Sequence, residues 1–147
     1  MTLTLSSDPM AAVERLQAAI NAHDLDALVG CFTPGYLSEA PAHPARDFVG
    51  SDHVRRNWGQ ILASVPDLRA ELVRSTVVGD TVWAEWDWTG TRRDGQPHNM
   101  AGVTIQGVEG GALAWVRFYM EPVEVSGVGN EAAIERTAGA SSARSES

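Results

Sequence analysis

RAELVRSTVVGDTVWAEWDWTGTRRDGQPHNMAGVTIQGVEGGALAWVRFYM, residues 69–120, decides the fold through its punctuation. β-branched and aromatic residues run through it, interrupted three times by a dipeptide with turn chemistry: Gly79-Asp80, Asp94-Gly95 and Gly110-Gly111. Such dipeptides tolerate positive φ and fold one strand back on the next. The reversals predict a four-stranded antiparallel meander. Taking each dipeptide as a two-residue loop also predicts register. Trp88, Trp86 and Ala84 then face Ala101, Val103 and Ile105, which in turn face Met120, Phe118 and Val116. Val77, Val73 and Glu71 face Val82, Trp86 and Trp88. One sheet face is then apolar: Val73, Val77, Val82, Ala84, Trp86, Val103, Ile105, Val116, Phe118 and Met120. The opposite face reads Arg74, Glu85, Thr104, Arg117 and, in the next row, Thr76, Trp83, Gln106, Trp115. Tryptophan and arginine there fit a surface covered by a second subunit, or a solvated sheet.

The apolar face needs a cover, and the upstream sequence supplies helices. Ser7-Asp8-Pro9 is a cap followed by proline at the first helical position, and Met10, Val13, Leu16, Gln17 and Ile20 follow at helical spacing to about Ala22. Asp24 caps a second helix with Leu25, Leu28, Val29 and Phe32, stopped by Pro34-Gly35. A short strand from Tyr36 to Ala40 and a loop, Pro41-Ala42-His43-Pro44, lead to a third helix. Ser51 caps that helix, Val54, Trp58, Ile61, Leu62 and Val65 form its apolar side, and Pro66 ends it. The expected fold class is α+β: a cone-shaped, curved antiparallel sheet packed on three helices around an apolar pocket. Residues 1–8 are read as an N-terminal extension, 9–123 as the cone domain and 124–147 as a partly disordered tail with a short helix near Ala132 to Thr137.

Composition narrows the chemistry. The chain has 147 residues, 44% hydrophobic and 20% charged, which fits one domain. Nineteen acids against eleven basic residues give a net charge of -8, the wrong sign for gripping nucleic acid or an anionic membrane. Every basic residue is arginine, so Schiff-base, pyridoxal phosphate and P-loop chemistry, which need the lysine amine, are excluded. The single cysteine, Cys31, has no partner for an internal disulfide and is expected in the core. The chain starts without a signal-peptide pattern and contains no apolar run of about 20 residues, so a soluble, cytoplasmic protein without a membrane span is expected. No GxSxG, GxGxxG or P-loop pattern occurs, and no cofactor is expected.

Three stretches carry a family likeness. AAINAHDLDALVGCFTPGYLSEAP (residues 18–41) has a helix ending in an Asn-x-x-Asp-x-Asp turn; FVGSDHVRRNWGQILASVPDL (residues 48–68) and WVRFYMEPV (residues 115–123) accompany it. Together they resemble the SnoaL-like polyketide cyclase and ketosteroid isomerase branch of the nuclear transport factor 2-like superfamily, over roughly Pro9 to Val123. The resemblance implies the cone fold and cofactor-free acid–base chemistry (cyclisation, isomerisation or dehydration); the apolar pocket suits a hydrophobic polyketide-, terpenoid- or steroid-like molecule, and the outer sheet face is the expected homodimer interface. The alternative the resemblance allows is a non-catalytic ligand-binding or dimeric interaction module.

Carried over residue by residue, the resemblance marks few positions. The isomerases keep a general-base Asp before a Pro; here Ala40 holds that place before Pro41, and Glu39 stands one residue earlier. In a strand that shift turns a side chain to the other face, so Glu39 is a candidate general base where a bulge restores its aim and a solvated strand acid where none does. The tyrosine of the isomerase oxyanion hole corresponds to Leu16, and Gly102 and Val103 offer no acid, so ketosteroid isomerisation is not expected. Limonene epoxide hydrolases, another branch of the superfamily, activate water with an Arg and two Asp residues at inward strand positions; Trp86, Trp88 and Phe118 hold those positions here, so that chemistry is not expected. Glu121 stands where the cyclases carry an acid–base Asp, although the predicted register puts it on the outer face unless the strand bends near Met120. His43, in its proline-flanked loop, is a candidate helper at the pocket mouth; His53 and His98 are read as incidental. His23, Asp24 and Asp26 look like a metal cluster, but a capping turn explains them better and no metal is expected. Tyr36, Trp58, Trp86, Trp88, Phe118 and Met120 are the expected substrate-binding walls.

Overall fold

A computed structural model describes residues 8–139. Ser7 of the predicted cap and the last eight residues of the expected disordered tail lie outside the described residues. Helix α1 (Pro9–Ala22) begins where Asp8 accepts from the Met10 amide, and it buries Ala12, Val13, Leu16, Ala19 and Ile20. His23 ends it with a left-handed backbone, φ 54°. Asp24 then caps α2 (Leu25–Val29) by accepting from Ala27 N. The polar residues of this turn are therefore structural. Asn21 bonds the backbone of Ala70, His23 Nε2 lies 2.8 Å from Leu68 O, and Asp26 pairs with Arg55 of the third helix.

Helix α2 is shorter than predicted. Gly30 ends it, and Phe32, expected on its apolar face, instead opens strand β1 (Phe32–Glu39). Pro34-Gly35 lies inside that strand, where pairing with its neighbour lapses between Phe32 and Leu37. Strand β2 (Phe48–Val49) folds back on β1. Helix α3 (Ser51–Ser64) follows, with Gly50 rather than Ser51 at the cap position. The meander is β3 (Arg69–Val78), β4 (Thr81–Thr89), β5 (Met100–Glu109) and β6 (Ala112–Pro122). The curved, unclosed sheet has six strands in the order β2-β1-β6-β5-β4-β3, with β1 parallel to β6 and the other pairs antiparallel. A fourth helix, α4 (Asn130–Ala138), buries no residue fully. Among the described residues, no helix is long and apolar enough to cross a membrane.

The predicted register fails by one residue at three places, each with a local cause. Asp94-Gly95 is not a two-residue loop: Gly95 N bonds Arg92 O, and Arg92 N bonds Gln96 O. The connection is therefore a three-residue loop, Arg93 to Gly95, with Gly95 at φ 87°. Trp88, Trp86 and Ala84 consequently face Met100, Gly102 and Thr104. Beyond Gly110-Gly111, Val108 pairs with Leu113 as expected. Ala114 then bulges, so Gln106, Thr104 and Gly102 face Val116, Phe118 and Met120. Val73 is a bulge in β3, which puts Leu72 opposite Trp86 and Ala70 opposite Trp88.

The first two shifts turn β5 over. Thr104 and Gln106 are buried on the helix side beside Val82, Ala84, Trp86, Trp88, Val116 and Met120. Val103 and Ile105 move to the outer face, and the rows there are Arg74, Glu85, Val103, Tyr119 and Thr76, Trp83, Ile105, Arg117. Val73 and Val77, expected inside, are exposed.

Candidate active site

The cavity follows from alternation along β1 and β6. Tyr36 and Ser38 of β1, and Ala40 just beyond it, point to the helix side, as do Val116, Phe118 and Met120 of β6. Phe48 of β2 and Val54, Asn57, Trp58 and Ile61 of α3 close the opposite wall. The cavity measures about 230 Å³. Behind it lies a chamber of about 60 Å³ that shares Phe32, Tyr36, Trp58, Trp88, Val116 and Phe118 and adds Leu16, Trp86, Thr104 and Gln106. All six predicted wall residues, Tyr36, Trp58, Trp86, Trp88, Phe118 and Met120, line one or both spaces.

Aromatic packing fixes these walls. Trp88 makes an edge contact with Trp58 at 5.3 Å and lies 6.4 Å from Trp86 and 6.2 Å from Phe118. Tyr36 is held between Phe32 at 4.5 Å and Phe48 at 6.2 Å. Burial pushes the Tyr36 hydroxyl well above the usual tyrosine pKa, against a smaller opposing effect of Ser38, so it stays protonated. A larger cleft of about 510 Å³, lined by Asn57, Gln60, Ile61, Ser64, Val65, Arg92 and His98, lies open to solvent. The aromatic cavity is the more enclosed of the two.

The three predicted acid–base residues separate into one pair and one outlier. Glu39 points away from the cavity, on the outer face, with its carboxylate 3.6 Å from Arg117. No bulge falls between Leu37 and Glu39, so strand alternation alone determines its aim. Glu121 and His43 meet: His43 Nε2 lies 2.6 Å from Glu121 Oε1, and both residues line the cavity mouth. Their side chains are half exposed, 38% for His43 and 51% for Glu121. Strand β1 leaves β6 after Glu39 pairs with Arg117, so the last residues of β6 have an open edge. The loop carrying His43 lies within reach of Glu121 there. Arg46, in a single 3₁₀ turn (Pro44–Arg46), also lines the mouth.

Thr104 and Gln106 are the site residues that the sequence reading missed. Trp86 Nε1 donates to Thr104 Oγ1 at 2.9 Å, and Thr104 Oγ1 lies 3.1 Å from Gln106 Oε1. Gly102 and Gly107, two glycines inside one strand, were the available sign that β5 departs from simple register. Cys31 is buried, as expected, and burial pushes its thiol pKa up. His53 stacks on Phe48 at 4.2 Å, and His98 lines the open cleft.

Comparison with known proteins agrees with this architecture. The model of the SnoaL-like domain family matches residues 13–117, and the chain belongs to that family. No curated protein matches it. Among solved structures, IdmH from Streptomyces antibioticus, a candidate polyketide cyclase, is 19% identical with a TM-score of 0.67, over 78% of this chain and 92% of that one. AclR from Streptomyces galilaeus, a candidate hydroxylase, is 18% identical with a TM-score of 0.68, covering 78% and 90%. A candidate isomerase from Bacillus subtilis is 16% identical with a TM-score of 0.69, covering 78% and 86%. At these identities the likeness concerns fold, and the reactions named for these neighbours differ from one another.

Proposed function

We propose that this chain is a cofactor-independent enzyme that moves a proton to and from carbon in a small, flat, apolar substrate, giving cyclisation, isomerisation or dehydration. The observation that carries this reading is the 2.6 Å contact of His43 Nε2 with Glu121 Oε1 at the mouth of an aromatic cavity. A carboxylate that accepts the Nε2 hydrogen leaves Nδ1 with its lone pair, and it stabilises the imidazolium formed when Nδ1 takes a proton. His43 thus serves as base and then as acid, and Glu121, first expected together with Glu39 as a candidate base, orients and stabilises it. Tyr36, Trp58, Trp86, Trp88, Phe118 and Met120 supply the apolar walls. At about 230 Å³ the cavity lies below the usual range for ligand sites, roughly 300–1,000 Å³, which favours one or two fused rings over a four-ring steroid.

A homodimer through the outer sheet face belongs to the same proposal. Trp83 and Tyr119 are 46% and 40% exposed there, and the turned β5 adds Val103 and Ile105 to their rows. Such a patch is what a second subunit covers.

A binding module without turnover is the second reading. It is favoured by the position of the dyad, half exposed at the mouth, whereas the ionisable side chain in the chamber behind is Tyr36. Deuterium exchange at the α-carbon of 2-tetralone in D₂O, followed by NMR, separates the two. The enzyme reading expects exchange faster than in buffer, cut on the order of 10²–10⁴-fold by His43→Gln or Glu121→Gln. Binding of the ketone with exchange at the buffer rate would establish the module instead.

A further inference from the structure

The floor of the cavity holds a polar chain that the acid–base pair does not use. Trp86, Thr104 and Gln106 are all buried, and they are linked at 2.9 Å and 3.1 Å. Chemistry alone fixes the direction of this chain. An indole N–H can only donate, so the Thr104 oxygen accepts from Trp86. The threonine hydroxyl then has one hydrogen to place, and the Gln106 amide oxygen is the acceptor within reach. With the amide flipped, that hydrogen would be buried without a partner, so the usual ambiguity of a glutamine side chain is removed.

Gln106 therefore spends its oxygen on Thr104, which leaves its NH₂ to be placed by a side chain that lines the chamber. Those two hydrogens meet no acceptor among the described residues. Trp88 Nε1 is the fully buried side-chain donor without a partner among the described residues, on a side chain shared by both spaces. None of the side chains lining the chamber is a carboxylate or a cation. Buried polar groups nearly always have partners, so N–H donors without acceptors on residues that line a chamber point to an acceptor that arrives with the ligand. A neutral acceptor fits, because an anion there would be buried without a counter-charge.

We infer that the chamber is a subsite for a carbonyl oxygen at the leading end of the ligand, a ketone or quinone, held by Gln106 Nε2, with Thr104 as the positioning residue that keeps the amide in its donor orientation. This rests on the reading of the aromatic cavity as the ligand site and specifies what the ligand must carry.

Tryptophan-quenching titrations with 2-acetylnaphthalene and 2-ethylnaphthalene test it, since the two differ little in shape and desolvation alone favours the hydrocarbon. The wild-type chain should bind the ketone about tenfold more tightly. Gln106→Met, which keeps volume and removes both donors, should level the two, and Thr104→Val, which frees the amide to flip, should reduce the preference. The infrared carbonyl stretch of the bound ketone should move to lower frequency in the wild type and not in Gln106→Met, a signature that a merely structural glutamine would not produce. Equal affinities in the wild type, or a preference that survives Gln106→Met, would overturn the subsite while leaving the acid–base reading intact. Failure of both compounds to quench would overturn the ligand cavity itself. Should Gln106→Met not fold by circular dichroism, the wild-type preference and carbonyl shift decide alone.

Discussion

Replacing Asn21 by alanine measures how firmly the first helix is held over the cavity floor, where its Leu16 forms part of the wall. Asn21 Oδ1 accepts from Ala70 N at 2.7 Å, and Nδ2 donates to Ala70 O at 3.0 Å, so the side chain pairs with β3 much as another strand would. Gln17 Nε2 reaches the same carbonyl at 3.2 Å. Truncation therefore leaves the carbonyl one donor but strips the amide of buried Ala70 of its acceptor. An orphaned buried amide costs ~1–3 kcal/mol and the second lost bond about 1 kcal/mol, together ~2–4 kcal/mol. For a chain of this size that lowers Tm by roughly 5–15 °C. Asn21→Asp separates the two bonds, because it keeps the acceptor for Ala70 N and sets a second oxygen against the carbonyl. Its charged form is disfavoured, so the folded-state pKa of the introduced carboxyl rises above the ordinary value of about 3.9. The folded chain then holds that proton more tightly than the unfolded chain, and stability returns as pH falls through the raised pKa. Thermal melts followed by circular dichroism at about pH 7 and about pH 4 read both effects. A loss under ~0.5 kcal/mol in Asn21→Ala, smaller than one ordinary hydrogen bond, would refute the clamp.

Four further outcomes follow from the same structure. Trp86 is 1% exposed, so Trp86→Ala should cost ~3–5 kcal/mol in urea denaturation, as for core residues generally; a small loss would mean that the chamber, not the core, holds the ring. Burial raises the Tyr36 pKa, so above the ordinary tyrosine value of about 10 the folded chain keeps a proton that the unfolded chain has lost. Stability should fall as pH rises beyond that point and fall less in Tyr36→Phe, as seen by comparing urea midpoints at about pH 9 and about pH 11. Gly102 has φ 149°, and a Cβ there would overlap the Tyr119 carbonyl oxygen; Gly102→Ala should therefore lose about 2 kcal/mol or more, and a neutral effect on Tm would contradict the close approach of β5 to β6. Light scattering should find a dimer at micromolar concentration that Trp83→Glu converts to monomer, and an unchanged mass would remove the outer face as the interface.

The features readable from the sequence were those fixed within a few neighbouring residues. Asp8-Pro9 opens α1 and Asp24 opens α2 because capping involves an oxygen and an amide two or three positions apart. The aim of Glu39 was equally local, since period-two alternation next to Ala40-Pro41 puts it outside. The cavity walls were readable because large aromatic residues have few other places to go. Gly102 and Gly107 hint that β5 is irregular, but the features that set its orientation are too small to read. An Asp-Gly dipeptide serves both a two-residue loop and a three-residue one, and Ala114 bulges with no marker in its own residue type. Thr104 and Gln106 were therefore assigned to the wrong side. His43 and Glu121 stand 78 residues apart, and no spacing rule joins them. Family likeness and a loop position named each separately, and only the folded sheet brings them together.

The three-residue connection Arg93 to Gly95 and the bulge at Ala114 lie on opposite sides of β5 and each add one residue. Removing either alone would ask the strand to present opposite faces to its two neighbours, so in a lineage the two must be inherited or lost together. Losing both would exchange a floor of Thr104 and Gln106 for one of Val103 and Ile105. A relative could thus exchange a polar cavity floor for a greasy one with every amino acid in the cavity walls unaltered, by paired deletions at distant points in the gene.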